Sequence, residues 1–234
     1  MNTVRPHLFF LTMIFIMVLS SISYAQNTIY SQDDIGTYFD LKEKKYEKRL
    51  LGNDYVVDHW QLADIMLTGD TIEFRDVNIK LDVTNRVIEL QLGEDVKLLP
   101  STNAKSIMVK GLTPTFYLTR VGTGLYGPSG FYKLLYEGDE KLLCHYSTRI
   151  EQSHYNEALG SGQKDDKIVK VETYYISNND KLIALEMKKS KLAEQLGNSE
   201  DLMKYMKEEG LNPKREMDLI KIVQYADKQR ASAN

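Results

Sequence analysis

The chain has 234 residues, of which 42% are hydrophobic, and its 30 Lys and Arg and 33 Asp and Glu give a formal net charge of −3. A weakly acidic chain has no general attraction for nucleic-acid phosphates, so the composition argues against a nucleic-acid partner. The length suits one domain with its own hydrophobic core, and a single cysteine, Cys144, excludes an intrachain disulfide.

The first 25 residues have the three parts of a secretory signal peptide. Arg5 supplies the positive charge, residues 8–19 are almost wholly apolar, and Ser23 and Ala25 are small residues at the −3 and −1 positions of a cleavage site. The apolar run is shorter than the ~20 residues that a membrane-spanning helix needs. We therefore expect cleavage after Ala25 and a periplasmic or secreted mature protein that is not an integral membrane protein.

Residues 60–99 have the pattern of a β-meander. Four short apolar segments are separated by Gly69-Asp70, Thr84-Asn85 and Gly93-Glu94. Each pair is expected to supply the positive-φ residues of a two-residue hairpin. Residues 87–92 alternate between apolar and polar side chains, with Glu89 and Gln91 outward, which is typical of antiparallel sheet with one wet face.

One strand of this meander contains a break in its alternation. Its apolar residues fall on even positions at Ile72 and Phe74, and on odd positions from Val77 onward. A slip of one residue would turn the remaining side chains to the opposite face. We therefore predict a bulge or kink at Arg75-Asp76.

The pattern of the second half predicts more strands and then helices. Residues 131–150 are apolar on both parities, which predicts central or covered strands, and residues 154–166 are a polar loop. Leu219, Ile222, Val223 and Ala226 follow the i, i+3, i+4, i+7 spacing of a helix with one packed face. The strands predicted here cover residues 105–109, 115–121, 131–136, 141–150, 168–176 and 181–187.

These elements predict the α+β fold class. The main part is an antiparallel β-meander that forms a curved sheet or a partly closed barrel, and α-helices follow at the C-terminus. We assign residues 1–25 to the signal peptide and residues 26–187 to the β domain. The helices of residues 188–234 are expected to pack on or beside the same domain.

A glycine-rich loop is the first candidate for function. Gly122, Gly124 and Gly127 match the G-x-G-x-x-G pattern of dinucleotide-binding proteins. A strand follows where that motif requires a helix N-terminus, so we predict no cofactor. The loop between two strands is instead expected to line a ligand site, with Gly122, Gly124, Tyr126, Gly127 and Tyr132 as the ligand-binding residues.

The residues that carry catalysis or bind metals are scattered. Cys144 and His145 are neighbours on a predicted strand, where they point to opposite faces, so we predict a buried structural cysteine. His59, His145 and His154 have no second ligand at metal spacing, and no metal site is predicted. A G-x-S-x-G nucleophile motif is also missing from the sequence. We therefore predict no catalytic residue, which favours a protein that is not an enzyme.

Tyrosine is abundant, with 15 residues in the chain. On a sheet, tyrosine usually packs with its hydroxyl at the rim, and it is also common in binding surfaces. We expect packing to account for most of the tyrosines on the predicted strands and loops, among them Tyr117, Tyr126, Tyr132, Tyr136, Tyr146, Tyr155, Tyr174 and Tyr175.

Four further segments carry a resemblance to known proteins. They are the hairpin sequence of residues 131–138, the tyrosine-rich strand of residues 173–176, the Asp-Lys-Leu sequence of residues 180–182 and the helical residues 217–225. With the meander from Trp60 onward, they resemble a family of exported β-rich proteins of Gram-negative bacteria whose function is unknown. The resemblance implies an exported β-rich protein with a helical tail and no particular activity.

Three functions fit the sequence. The first is an exported, non-catalytic binding or envelope-associated protein, whose partner is an unidentified envelope ligand or protein. The second is a hydrolase whose site is assembled only in three dimensions. The third is a structural or assembly partner that pairs through a sheet edge.

Overall fold

The structure, a computed structural model, describes residues 28–30, 35, 41–43, 51–56, 58–69, 72–113, 115–119, 127–178, 181–197 and 199–233. The predicted signal peptide lies outside these residues. The strands are β1 (Thr28–Tyr30), β2 (Lys42–Glu43), β3 (Leu51–Gly52), β4 (Gln61–Leu67), β5 (Ile72–Asp82), β6 (Val87–Leu92), β7 (Asp95–Pro100), β8 (Ala104–Val109), β9 (Thr115–Thr119), β10 (Phe131–Glu137), β11 (Lys141–Glu151), β12 (Lys167–Asn178) and β13 (Lys181–Ala184). The helices are α1 (Lys189–Gln195), α2 (Ser199–Glu208) and α3 (Glu216–Ala233).

All of the described strands belong to one sheet, in the order β13-β12-β11-β10-β9-β8-β4-β5-β6-β7-β2. Neighbours along this path are antiparallel, whereas β1 joins β5 and β3 joins β12 in parallel. The predicted fold class is therefore confirmed as α+β, with a mainly antiparallel, curved sheet and C-terminal helices. Each strand predicted between residues 105 and 187 is present, although β13 ends at Ala184 because the chain then turns into α1.

The sheet curls around its own hydrophobic core. Buried side chains from β4 to β11 form one cluster on the inner face. The Thr84 hydroxyl, after β5, lies 3.1 Å from the Thr148 hydroxyl on β11, although four strands separate β5 from β11 in the sheet. Residues 51–56 also connect the two halves, since β3 pairs with β12 and Tyr55 pairs with Asp82. The inner face is therefore enclosed by the sheet from two sides.

The predicted bulge at Arg75-Asp76 is confirmed. A register shift between β4 and β5 leaves Asp64 opposite both residues, and Asp76 has a φ of 55°. The Asp76 amide donates to Asp64 Oδ1 at 2.9 Å. Lys110 Nζ lies 2.7 Å from the Asp64 carboxylate and 2.6 Å from that of Asp76. The bulge keeps the apolar side chains of both halves of β5 on the inner face.

Not every turn of the meander has the predicted geometry. Gly93 has a φ of 64° in a two-residue turn, and Gly69 has a φ of 111°. The two-residue hairpin predicted at Thr84-Asn85 is wrong, because the turn contains four residues, 83–86, and the positive φ falls on Arg86 at 56°. Asp82 determines this turn, since its carboxylate accepts hydrogen bonds from the Asn85 amide at 2.8 Å and from Asn85 Nδ2 at 2.9 Å.

The outer face of β6 is less exposed to solvent than the alternation of apolar and polar residues predicts. Glu89 lies opposite in parity to the buried Ile88 and Leu90, as expected, yet only 2% of its surface is exposed. The Tyr55 hydroxyl covers it and donates a 2.6 Å hydrogen bond to Glu89 Oε1. Residues 53–56 therefore cover this part of the outer face, which alternation within one strand cannot reveal.

The helices extend the core at one end of the sheet. Leu142 of β11 and Ile176 of β12 belong to one buried cluster with side chains from α1, α2 and α3. The four residues of the predicted helical stripe are all buried in it: Leu219, Ile222, Val223 and Ala226. Among the helices that the structure describes, none is long and apolar enough to cross a membrane.

Asp227 attaches α3 to the turn between β10 and β11. Its carboxylate accepts hydrogen bonds from the Tyr136 hydroxyl at 2.7 Å and from the Asp139 amide at 3.3 Å. A Cβ atom on Gly138 would collide with that carboxylate and with the Tyr136 side chain. The turn therefore requires glycine because the helix packs directly against it.

Candidate functional site

A row of functional side chains crosses the inner face from β9 to β12. Backbone pairing places Tyr117 opposite Lys133, Lys133 opposite Cys144, and Cys144 opposite Tyr174. Paired residues on adjacent strands point to the same face of a sheet, so these four side chains form one row. The row lies where the inner core meets α3, since Tyr174 packs against both buried clusters.

Three tyrosines of this region form what we call the concave tyrosine cluster: Tyr117, Tyr146 and Tyr174. The rings of Tyr117 and Tyr146 have centroids 6.5 Å apart, and these residues are 4% and 7% exposed. Tyr174 is half-buried, and its hydroxyl donates to Glu172 Oε2 at 3.3 Å. The cluster extends from the buried core toward solvent at Glu172.

The Tyr117 hydroxyl faces a space that solvent can reach. Within the described residues, no hydrogen bond joins this hydroxyl to another group, although the ring is almost completely buried. In the same part of the chain, no fully buried side-chain nitrogen or oxygen is without a hydrogen-bond partner. The Tyr117 hydroxyl must therefore keep some exposure, because a buried phenol without a partner would carry a desolvation penalty.

Charged groups from the sheet and from α3 meet beside the cluster. Lys133 Nζ lies 2.9 Å from Glu216 Oε1, and the side chains are 26% and 33% exposed. Glu216 is in the first turn of α3, where a carboxylate is favoured by the helix dipole. The ion pair therefore fixes the start of α3 against β10 and leaves both charges accessible to solvent.

Burial raises the pKa values of the acidic groups along the row. It raises the pKa of Tyr117 to about 12, with the charges of Cys144 and Glu216 adding to the effect. Burial also raises the pKa of the Cys144 thiol to about 12, with a contribution from Glu172. At neutral pH the thiol is protonated and is a poor nucleophile. The cluster therefore offers neutral phenols that can donate or accept hydrogen bonds.

The predicted ligand-binding residues fall into two groups. Gly122, Gly124 and Tyr126 lie outside the described residues, so their role stays a prediction. Tyr132 is completely buried on the outer face, and its hydroxyl donates to the Pro128 carbonyl oxygen. A Cβ atom on Gly127 would lie 2.6 Å from a methyl carbon of Leu182 and 3.2 Å from the Tyr132 hydroxyl. Residues 127 and 128 therefore pack over the outer face.

His145 belongs to this outer-face packing. Its Nε2 donates to the Ser129 carbonyl oxygen at 3.1 Å, and its ring centroid lies 4.7 Å from that of Tyr132. Burial lowers the pKa of His145. Cys144, by contrast, lies in the inner core with 0% exposure, which confirms the prediction of a buried cysteine on the opposite face from His145.

The other histidines are on the surface. His59 Nδ1 lies 3.3 Å from Asp58 Oδ1, but both side chains are exposed and adjacent in sequence. His154 lies exposed in the polar loop. Within the described ranges, no group of three or more His, Cys, Asp and Glu side chains is arranged to hold a metal ion.

The described sheet edges are short. The strand path ends at β13, with four residues, and at β2, with two. Ile183 on β13 is 44% exposed, and Lys181 begins the strand. Short edge strands with charged residues resist pairing with another chain.

Sequence reasoning did not identify Lys133 and Glu216 as candidate site residues. The signal for Lys133 was present, since it is the one charged residue in the otherwise apolar run of residues 131–135. Glu216 carried no local signal, because its role depends on the packing of α3 against β10. Tyr117, Tyr146 and Tyr174 were recognised as sheet tyrosines but not as neighbours.

Comparisons of the chain with protein-family models, with curated proteins and with solved structures found no match. Evidence for its function therefore comes from its own side chains, and above all from the concave tyrosine cluster with its adjacent Lys133–Glu216 ion pair.

Proposed function

We propose that the chain is an exported, non-catalytic binding protein that holds a small organic ligand against the concave tyrosine cluster. The observation that carries the proposal is the Tyr117 hydroxyl, which sits on a 4%-exposed residue without a hydrogen-bond partner in the described part of the chain. A polar group that has no partner and lies at the margin of a hydrophobic core is suited to orient a ligand.

The neighbouring side chains support binding. Tyrosine rings provide large apolar contact area, and their hydroxyls add directional hydrogen bonds. Lys133 and Glu216 contribute one donor and one acceptor group that are both partly exposed. The margin of the packed inner core at the cluster thus combines aromatic side chains with a few polar groups, which is the composition typical of small-molecule sites.

The chemistry beside the cluster favours binding over hydrolysis. A nucleophilic thiol needs a lowered pKa and a base within hydrogen-bond reach. Cys144 has the opposite shift, and the adjacent His145 occupies the other face with its Nε2 bonded to a carbonyl oxygen. A hydrolase that uses Cys144 as its nucleophile and His145 as its base is therefore disfavoured.

Ligand-observed NMR with a library of small aromatic and aliphatic amines, alcohols and acids tests the proposal. We expect some compounds to bind, and their affinity to fall at least about fivefold in the double variant Tyr117→Phe/Tyr174→Phe, since two hydrogen-bonding hydroxyls are removed. Tyr155→Phe is the matched control, because Tyr155 lies in the polar loop beside Lys164. Equal binding by all three proteins would contradict the proposed site, and no binding at all would contradict the function.

Export is tested separately by fractionation of a Gram-negative host that expresses the full chain. The proposal predicts mature protein in the periplasm or medium, with Gln26 as the first residue found by N-terminal sequencing. Uncleaved protein in the cytoplasm would refute export and leave the binding site to be judged by the ligand experiment.

A further inference from the structure

The edge strand β13 turns alternate backbone groups away from its neighbour β12. The Leu185 amide, just after β13, donates to the Tyr174 carbonyl oxygen at 2.8 Å. In the same register Ala184 lies opposite Tyr175. Hydrogen-bonded and non-hydrogen-bonded residues alternate along an antiparallel pair. The amide and carbonyl groups of Leu182 and Ala184 therefore point away from β12, toward the outer edge of the sheet.

The side chain of Gln195 occupies part of this outer edge. Gln195 is the last residue of α1, the helix that follows β13. Its Nε2 donates to the Ala184 carbonyl oxygen at 2.8 Å, and its Oε1 accepts a hydrogen bond from the Glu186 amide at 2.9 Å. A side-chain amide has both a donor and an acceptor, as a peptide group has. Gln195 therefore bonds to the edge as the backbone of a neighbouring strand would.

The remainder of the edge is open among the residues that the structure describes. The path of the described strands ends at β13, and the outward amide and carbonyl of Leu182 have no hydrogen-bond partner there. Unpaired strand backbone of this kind is a template for another strand. Ile183 lies between the two outward residues and is 44% exposed, so it would add apolar contact to such a pairing.

A second copy of the chain is the strand partner that fits this edge, because the edge is self-complementary. A two-fold axis at Ile183 would place Leu182 of each copy opposite Ala184 of the other. The two Ile183 residues would then face each other at a non-hydrogen-bonded site, with Cα atoms about 4.5 Å apart. This register needs the Ala184 carbonyl oxygen of both copies as an acceptor. Gln195 already donates to that oxygen and lies where the second strand would run.

We propose that Gln195 is an autoinhibitory contact that closes the β13 edge against antiparallel pairing with a second copy of this chain. The inference goes beyond the proposed ligand site and does not depend on it. The shortness of β13 already limits such pairing, since the strand has four residues. Gln195 removes one acceptor and one donor from the few backbone groups that this edge offers.

Removal of the Gln195 side chain tests the proposal by sedimentation equilibrium. Gln195→Ala opens the edge and keeps α1, because alanine has a higher helix propensity than glutamine. We expect self-association at least about tenfold tighter than that of the natural chain, since each Ala184 carbonyl oxygen can then accept a hydrogen bond from the second copy. Gln163→Ala is the matched control and should leave self-association unchanged. Its side-chain amide also donates to a backbone carbonyl oxygen, that of Asp165 at 2.6 Å, but in the polar loop.

A cysteine at position 183 locates the contact. In the two-fold register, the Cα separation of about 4.5 Å falls within the range that a disulfide spans. The natural Cys144 is 0% exposed and does not compete in the folded protein. Under mild oxidation we expect Ile183→Cys/Gln195→Ala to form a disulfide-linked dimer at least about tenfold faster than Ile183→Cys alone, because only the double variant has an open edge.

Three results would overturn the proposal. One is self-association of Gln195→Ala equal to that of the natural chain, with circular dichroism showing that the variant is folded. Another is equal cross-linking of Ile183→Cys with and without Gln195. The third is tighter association of Gln195→Ala without cross-linking at position 183, which would place the contact elsewhere on the surface.

Discussion

Replacing Tyr132 with phenylalanine tests whether this tyrosine is a packing residue of the outer face. Tyr132 is 0% exposed, and its hydroxyl donates to the Pro128 carbonyl oxygen. Tyr132→Phe keeps the ring in place and removes the hydrogen bond from this buried hydroxyl to the exposed Pro128, which costs about 1 kcal/mol. In a chain of this length, 1 kcal/mol corresponds to about 2–4 °C, so the melting temperature should fall by roughly 2–4 °C.

Tyr117→Phe is the matched substitution on the inner face. Because no hydrogen bond to the Tyr117 hydroxyl is found within the described residues, its removal should change the free energy of unfolding by less than about 0.5 kcal/mol. Urea denaturation followed by circular dichroism measures both variants. An equal loss of unfolding free energy in the two variants, or a larger loss in Tyr117→Phe, would contradict both assignments. Tyr132 would then not be the packing residue, and the Tyr117 hydroxyl would not be free of hydrogen bonds within the described residues.

Three more predictions concern the turn to α3, the outer face and the thiol. Gly138→Ala should lower stability by on the order of 2 kcal/mol in urea denaturation, because its Cβ atom displaces the Asp227 carboxylate, and full stability would contradict this contact. Burial lowers the pKa of His145, so the unfolded chain binds more protons, and stability should fall as pH drops below about 6.5. His145→Gln should flatten that pH dependence and His154→Gln should not. The Cys144 thiol, with a pKa of about 12, should resist iodoacetamide at pH 8 until the protein is unfolded, so rapid labelling of folded protein would contradict its burial.

Local sequence patterns predicted the elements whose determinants are local. The parity change between Phe74 and Val77 located the bulge, since alternation reports directly which face each side chain occupies. The stripe from Leu219 to Ala226 likewise identified the packed face of α3. The two-residue turn predicted at Thr84-Asn85 is wrong because the carboxylate of Asp82, outside the predicted pair, determines the conformation of residues 83–86.

Local sequence patterns could not predict the candidate site, because its residues come from distant parts of the chain. Tyr117 and Tyr174 are 57 positions apart, and three strand pairings bring them into one row. Glu216 joins them only when α3 packs on the sheet. Sequence reasoning instead favoured the glycine loop, whose motif is local. In the structure, residues 127 and 128 cover Tyr132 on the opposite face from the cluster.

The most direct test of the central claim is an NMR titration of protein labelled with ¹³C at its tyrosine rings, with the tightest-binding compound of the small-molecule library as the probe. Assignments come from the Tyr117→Phe, Tyr132→Phe and Tyr174→Phe variants. We predict saturable shifts of the Tyr117 and Tyr174 signals, with the Tyr132 signal unchanged. Shifts confined to Tyr132, or no shift of any tyrosine at saturating probe, would contradict a ligand site at the concave tyrosine cluster.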